Sequence, residues 1–240
     1  MPFLMRYEED RSRPPVLVAM RDLALRTLAP AVVLWAVIVG IGKLISGPFG
    51  GLTAENAINH DFQSDRSPVW NNVTMVWSRV GNTEIVIGVC VVMVALIWWR
   101  TRQWWVAILP GIAVAVQATV FVLAAAVAGR ARPDVTPLDP APPTSSYPSG
   151  HVGASTALYF TLAAVAQRIP NVALRRVVTV ICLVIPFLVA YARLYRGMHH
   201  LSDVVVGFLN GLASALLAWG YLRRSDRRAQ GAKRSARHPS

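Results

Sequence analysis

The sequence predicts an all-α, polytopic membrane fold of six transmembrane helices, and three observations predict it. The 240 residues are 54% hydrophobic and only 15% charged, with a mean hydropathy of +0.44, too apolar for an ordinary soluble domain of this length. Six apolar runs recur along the chain, most of them near the roughly 17 to 25 residues needed to cross a bilayer. The basic residues behind the net charge of +12 are grouped between the runs rather than along a helix face or in a nucleic-acid-binding pattern.

Residues 1–26 form a polar amino-terminal arm, too long and too mixed in charge for a cleavable signal peptide. The first span is expected from Leu28 to Ile45, with Lys43 close enough to its end to snorkel. A polar interval follows from Ser46 to Thr83. Within it Val69, Trp70, Val73, Val76, Trp77 and Val80 recur at helical spacing, which predicts an amphipathic helix, either interfacial near a lipid entrance or packed over the bundle. Asn72-Val73-Thr74 matches a glycosylation sequon, a pattern too common to carry an argument.

The next spans are Ile85 to Trp99 and Trp104 to Ala128, separated by the tight basic turn at Arg100 to Gln103. Two more run from Val152 to Gln167 and from Val177 to Ala192, and the sixth from Leu201 to Leu222. The membrane domain is thus expected over residues 27–222, with a basic tail over 223–240. Cys90 and Cys182 each lie within an apolar run and have no metal-site or disulfide spacing.

Six spans place both termini on one side, and the charges say which. Five arginines of the arm, Arg100 and Arg102, then Arg168, Arg175 and Arg176, and seven Lys or Arg of the tail all fall on the side of the termini. The positive-inside rule makes that side cytoplasmic. The high pI of about 11 therefore requires no nucleic acid. Of the basic residues left for the outer side, Arg130, Arg132, Arg193 and Arg196 stand at helix ends that face one another in this topology.

Pro148-Ser149-Gly150-His151 precedes the fourth span, so a loop turns there into a helix start. Such a start presents unpaired N–H groups and a positive dipole end that suit an anion. Ser149 can cap it, Gly150 lets a ligand approach the backbone, and His151 can deliver a proton near neutral pH. His199 and Asp203, four residues apart, are expected on one helix face, with the carboxylate orienting the imidazole as a nucleophile or base. His200 falls on another face and receives no role. Each pattern alone fits an ordinary capped helix or surface pair; several arginine- and histidine-bearing loops at one membrane face describe a phosphoryl pocket instead.

Arg132-Pro133, then Pro148-Ser149-Gly150-His151, then Arg193 followed by His199 and Asp203, resembles the three-part signature of the type 2 phosphatidic acid phosphatase superfamily, which includes vanadium haloperoxidases. The resemblance covers about Trp70 to Leu222. It implies a metal- and cofactor-independent phosphatase acting on lipid phosphates at the outer face. It implies His199 as the nucleophile that forms a phosphohistidine, Asp203 as its orienting partner and His151 as the acid for the leaving oxygen. Arg132, Ser149, Gly150 and Arg193 correspond to the phosphate cradle. Two positions depart from the pattern: Ala125 stands where the family has a lysine, and Ala192 where it has a serine. Arg130 is a candidate substitute for that lysine.

The resulting expectation is a multi-pass cell-membrane enzyme hydrolysing phosphatidate, phosphatidylglycerol phosphate or a polyprenyl diphosphate, with the sequence choosing none of the three. The alternatives are a phosphotransferase using the same intermediate and a catalytically silent lipid-phosphate binder or transporter. Retention of both histidines argues against the latter. Apolar spans exclude a soluble haloperoxidase, and the absence of a repeated polar stripe disfavours a channel. No outer-side carboxylate cluster is expected to hold magnesium, since Asp134 and Asp139 lie in a proline-rich loop.

Overall fold

The computed structural model describes residues 13–141 and 143–222; the basic tail, and Arg6 and Arg11 of the arm, lie outside the described residues. Within them the chain is all-α. We number the helices α1 (Val16–Ser46), α2 (Asn56–Ser64), α3 (Pro68–Val80), α4 (Thr83–Thr101), α5 (Trp104–Ala128), α6 (Gly150–Ala166), α7 (Val172–Tyr195) and α8 (Leu201–Gly220). Five of these, α1, α4, α5, α7 and α8, are long and apolar enough to cross a membrane. The expected fourth span is α6, of 17 residues, enclosed by α5, α7 and α8. Val32, Val33, Val91, Val92, Val180 and Ile181 are exposed on the outer helices, an apolar perimeter that suits lipid rather than water.

The first helix differs from its expected bounds, since it begins at Val16 inside what reads as a polar arm. Val16, Leu17, Val18, Ala19 and Met20 supply an apolar turn, and the Asp22–Arg26 pair at 3.6 Å sits one turn apart on its surface. A π-helical turn spans Ala24–Leu28 immediately before Pro30, whose ring has no N–H to give the preceding turn.

Helix α6 packs most intimately against α8, and glycine makes this possible. A Cβ on Gly207 would approach the Ser149 carbonyl oxygen to 2.5 Å, and one on Gly211 would meet the Gly153 carbonyl. Gly207 and Gly211 are four apart, so they open one stripe of α8 to the backbone of α6, as small-residue pairs do between membrane helices. The close approach also lets the Ser149 N–H donate to the Asp203 carbonyl at 2.9 Å. The start of α6 is thereby fixed against the start of α8.

The predicted amphipathic helix is α3, and its polarity is inverted relative to a soluble surface helix. Val69 and Val76 are 71% and 56% exposed, whereas Thr74 and Ser78 are buried. An apolar outward face is what an interfacial helix needs. The inward polar face, Asn71, Thr74 and Ser78, packs toward α7 and the candidate site.

Candidate active site

Two devices place the histidines. Helix α7 ends in a Schellman turn: the Met198 N–H reaches the Arg193 carbonyl (3.1 Å), the Gly197 N–H reaches the Leu194 carbonyl (3.0 Å), and Gly197 has a left-handed φ of +69°. The reversal carries His199 back over Arg193. The start of α6 is the second device. There the Tyr147–Pro148 peptide is cis, Ser149 is the N-cap, and a Cβ on Gly150 would touch the Phe121 ring at 2.8 Å.

His199 is 5% exposed, and its Nδ1 lies 2.7 Å from the Ser146 carbonyl oxygen. A carbonyl only accepts, so Nδ1 carries the proton and Nε2 keeps its lone pair. Burial pushes this imidazole well below the ordinary histidine pKa; the Arg193 charge acts in the same direction and Asp203 opposes it. His199 is therefore neutral at pH 7, the form a nucleophile requires.

The expected His199–Asp203 hydrogen bond is not formed. Helix α8 begins only at Leu201, so His199 precedes it and the four-residue spacing does not share a helix face. Asp203 instead closes a capping box with His200: its Oδ2 accepts from the His200 N–H at 2.9 Å and lies 3.3 Å from His200 Nδ1. Its Oδ1 accepts from Arg130 Nη1 at 2.6 Å. Asp203 acts on His199 only through its field. His200, given no role by the sequence, holds the carboxylate together with Arg130.

Arg130 does not replace the missing lysine. Its Nη1 also donates to Ser202 Oγ, and its Nη2 donates to Glu55 Oε2 at 3.1 Å and to the Gly51 carbonyl at 2.7 Å. That carbonyl is presented by a turn with left-handed Gly50 and Gly51. Both terminal nitrogens of the guanidinium are thus engaged away from the cradle, while its buried Nε has no partner.

The other residues expected to form a cradle are placed as follows. Arg132 donates to the Met198 carbonyl at 2.8 Å, next to His199. Arg193, 4% exposed, donates through Nη1 to Ser78 Oγ (2.8 Å) and Asp139 Oδ2 (3.0 Å), while its buried Nε has no partner. The Ser149 hydroxyl is fully buried, makes no cap hydrogen bond and has no partner either. Buried polar groups left unpaired cost free energy, roughly 1 to 3 kcal/mol each, and Ser149 Oγ and Arg193 Nε are two such groups. His151 lies one position into α6, with Nε2 2.9 Å from Asn82 Oδ1.

Several contributors escaped the sequence reading. Ser78 and Asn82 support Arg193 and His151 from the end of α3 and the turn after it. Asn59 donates to the His199 carbonyl at 3.2 Å. The one signal that pointed to any of these was the polar repeat Asn71, Thr74, Ser78, at helical spacing opposite the apolar face of α3. Among the described residues no group of three or more His, Cys, Asp or Glu side chains is arranged to hold a metal ion.

Comparison with known proteins agrees with the motif. The chain shares its fold with the crystal structure of the first transmembrane PAP2 type phosphatidylglycerolphosphate phosphatase from Bacillus subtilis, with a TM-score of 0.70 and 24% identity over 80% of this chain and 94% of that one. It is also similar to the crystal structure of Aquifex aeolicus LpxE, with a TM-score of 0.54 and 20% identity over 68% of this chain and 93% of that one. No curated protein sequence matches. The PAP2 superfamily model matches residues 104–227, more than half of the chain and all three motifs. On that match, this membrane protein belongs to the PAP2 superfamily.

Proposed function

We propose that the protein is a lipid phosphatase that works through a phosphohistidine. The observation that carries the reading is the set of buried, unspent donors, Ser149 Oγ and Arg193 Nε, beside a neutral His199 whose Nε2 lone pair is free to attack. A binder needs the donors but not that nucleophile.

In the proposed reaction the Nε2–P bond forms as the P–O bond to the lipid breaks, and His151 gives its proton to the departing oxygen. Water then attacks phosphorus, His151 takes a proton from it, and the N–P bond breaks to release phosphate. Arg132, Arg193, Ser149 and the N–H groups at the start of α6 meet the charge on the equatorial oxygens. Asn82 holds the His151 ring through Nε2. The lipid tail would lie between helices; an apolar groove of about 390 Å³ between α1 and α5, lined by Leu28, Trp35, Val116 and Val120 among others, suits hydrocarbon.

Purified protein should release phosphate from lipid phosphates in EDTA and be blocked by vanadate, which adopts the five-coordinate geometry of the transition state. Loss of turnover on chelation, restored by magnesium, would refute the metal-independent mechanism.

We also propose that α6 completes six crossings, with the termini cytoplasmic and the loops at 129–149 and 196–200 outside. The native Cys90 and Cys182 are buried, so single cysteines placed in those loops should report cleanly. They should react with an impermeant thiol reagent in intact cells; reaction only after lysis would invert the topology.

A further inference from the structure

Asn82 lies in the turn between α3 and α4, outside all three motifs, and is the N-cap of α4 with an extended backbone (φ −63°, ψ 145°). An asparagine at that position ordinarily turns its side-chain oxygen onto the first N–H groups of its own helix and stabilises the helix start. Asn82 makes no such bond. Its Oδ1 lies instead 2.9 Å from His151 Nε2, across 69 positions of sequence. Gly81 lets the turn come that close. A Cβ there would stand 3.1 Å from His151 Cβ and 2.8 Å from Val189 Cγ1, so a side chain would push the turn away from the start of α6. The local capping preference is thus given up for a contact with the proposed acid.

An amide oxygen only accepts, so Nε2 carries the proton of that hydrogen bond and Nδ1 is the nitrogen left to exchange one. We propose that Asn82 is a positioning residue for the acid step, holding a proton on His151 Nε2 and so assigning proton transfer to Nδ1. The inference rests on the phosphatase reading and concerns how its acid works. As His199 Nε2 bonds to phosphorus, the P–O bond to the lipid breaks with its electron pair on oxygen, and that oxygen takes the Nδ1 proton of the His151 imidazolium. His151 is then neutral, and its remaining proton on Nε2 is still donated to Asn82 Oδ1. In the second half Nδ1 takes a proton from the attacking water, which restores the imidazolium.

Arg193 of α7, Arg132 and Asp139 of the loop before α6, and His199 also act on His151 electrostatically, while Arg79 of α3 and Glu84 of α4 are exposed. All of them are retained when Asn82 is replaced. A change in pH dependence on replacement therefore reports the Asn82 contact itself.

The test measures kcat/KM of wild type, Asn82→Asp and Asn82→Leu in detergent from about pH 5 to 9, on the lipid phosphate that wild type hydrolyses fastest; its alkaline limb reports loss of the acid's proton. Asn82→Asp keeps an acceptor at Nε2 and adds a negative charge that favours the imidazolium, so the limb should move up by about one pH unit. Asn82→Leu removes the acceptor, so the limb should move down and the plateau fall on the order of 10²-fold. Histidine-labelled ¹⁵N spectra of wild type above the limb, with His151→Ala identifying the signal, should show the neutral ring protonated at Nε2. A contact that merely holds the turn in place would change melting and leave the limb unmoved, which would overturn the proposal. So would a wild-type ring protonated at Nδ1. Should Asn82→Leu fail to fold, the spectrum and the Asn82→Asp limb decide. If wild type hydrolyses no lipid phosphate, or His199→Ala leaves hydrolysis intact, the phosphatase reading itself fails; if His199→Ala abolishes hydrolysis while the limb stays fixed in both Asn82 variants, this inference alone fails.

Discussion

Replacing His199 by alanine should abolish phosphate release, lowering kcat on the order of 10⁴-fold or more, because it deletes the atom that bonds to phosphorus. The protein should remain folded. His199 gives the fold a hydrogen bond to the Ser146 carbonyl and a modest buried volume, while its backbone carbonyl, held by Asn59, is retained in the variant. Equal helicity and detergent-solubilised melting behaviour, together with vanadate binding weakened but not lost, would separate a chemical defect from a structural one. Activity within tenfold of wild type would remove His199 from the reaction.

Arg193→Ala should cost on the order of 10² to 10³-fold in kcat/KM for a lipid phosphate, the range found when one preorganised donor to a developing anion is removed. The loss should fall on catalysis more than on stability. Asp139 keeps both of its hydrogen bonds from Arg196 after the change, so no carboxylate is left buried and alone. Arg193→Lys should recover only a small part of the loss. An ammonium carries the charge, but it cannot reach Ser78 and Asp139 through one nitrogen while offering a second N–H edge to phosphate. Equal activity of Arg193→Lys and wild type would mean that the fork geometry is irrelevant and that only charge matters.

The membrane helices and the motif residues were legible because their signals are local. An apolar run of suitable length reads as a span wherever it packs, and Arg132, Ser149, Gly150, His151, Arg193 and His199 lie at helix ends that the topology gathers at one face. The start of α1 was not legible: Arg21, Asp22 and Arg26 read as a solvated arm, whereas in the fold the apolar residues from Val16 onward carry the helix through them. The role of Asp203 was misread because the four-residue spacing was applied across a helix start. Whether His199 belongs to the helix or precedes it depends on where the N-cap falls, and the adjacent His199 and His200 offer two choices. Ser78 was marked only by the polar repeat of α3, and Asn82 and Asp139 were invisible for a different reason. Each is a common polar residue whose function arises from a contact over 54 or more positions in the chain, and no spacing rule reaches that far.

The central claim is a covalent bond between phosphorus and His199 Nε2. Protein mixed briefly with a lipid phosphate labelled with ³²P, then quenched in alkaline denaturant, should retain label that is stable to base and released by acid, as expected of a phosphoramidate. Mass spectrometry should place it on His199, and His199→Ala should carry none. Wild-type turnover with no trapped label at any quench time, or label that persists in His199→Ala, would contradict the account.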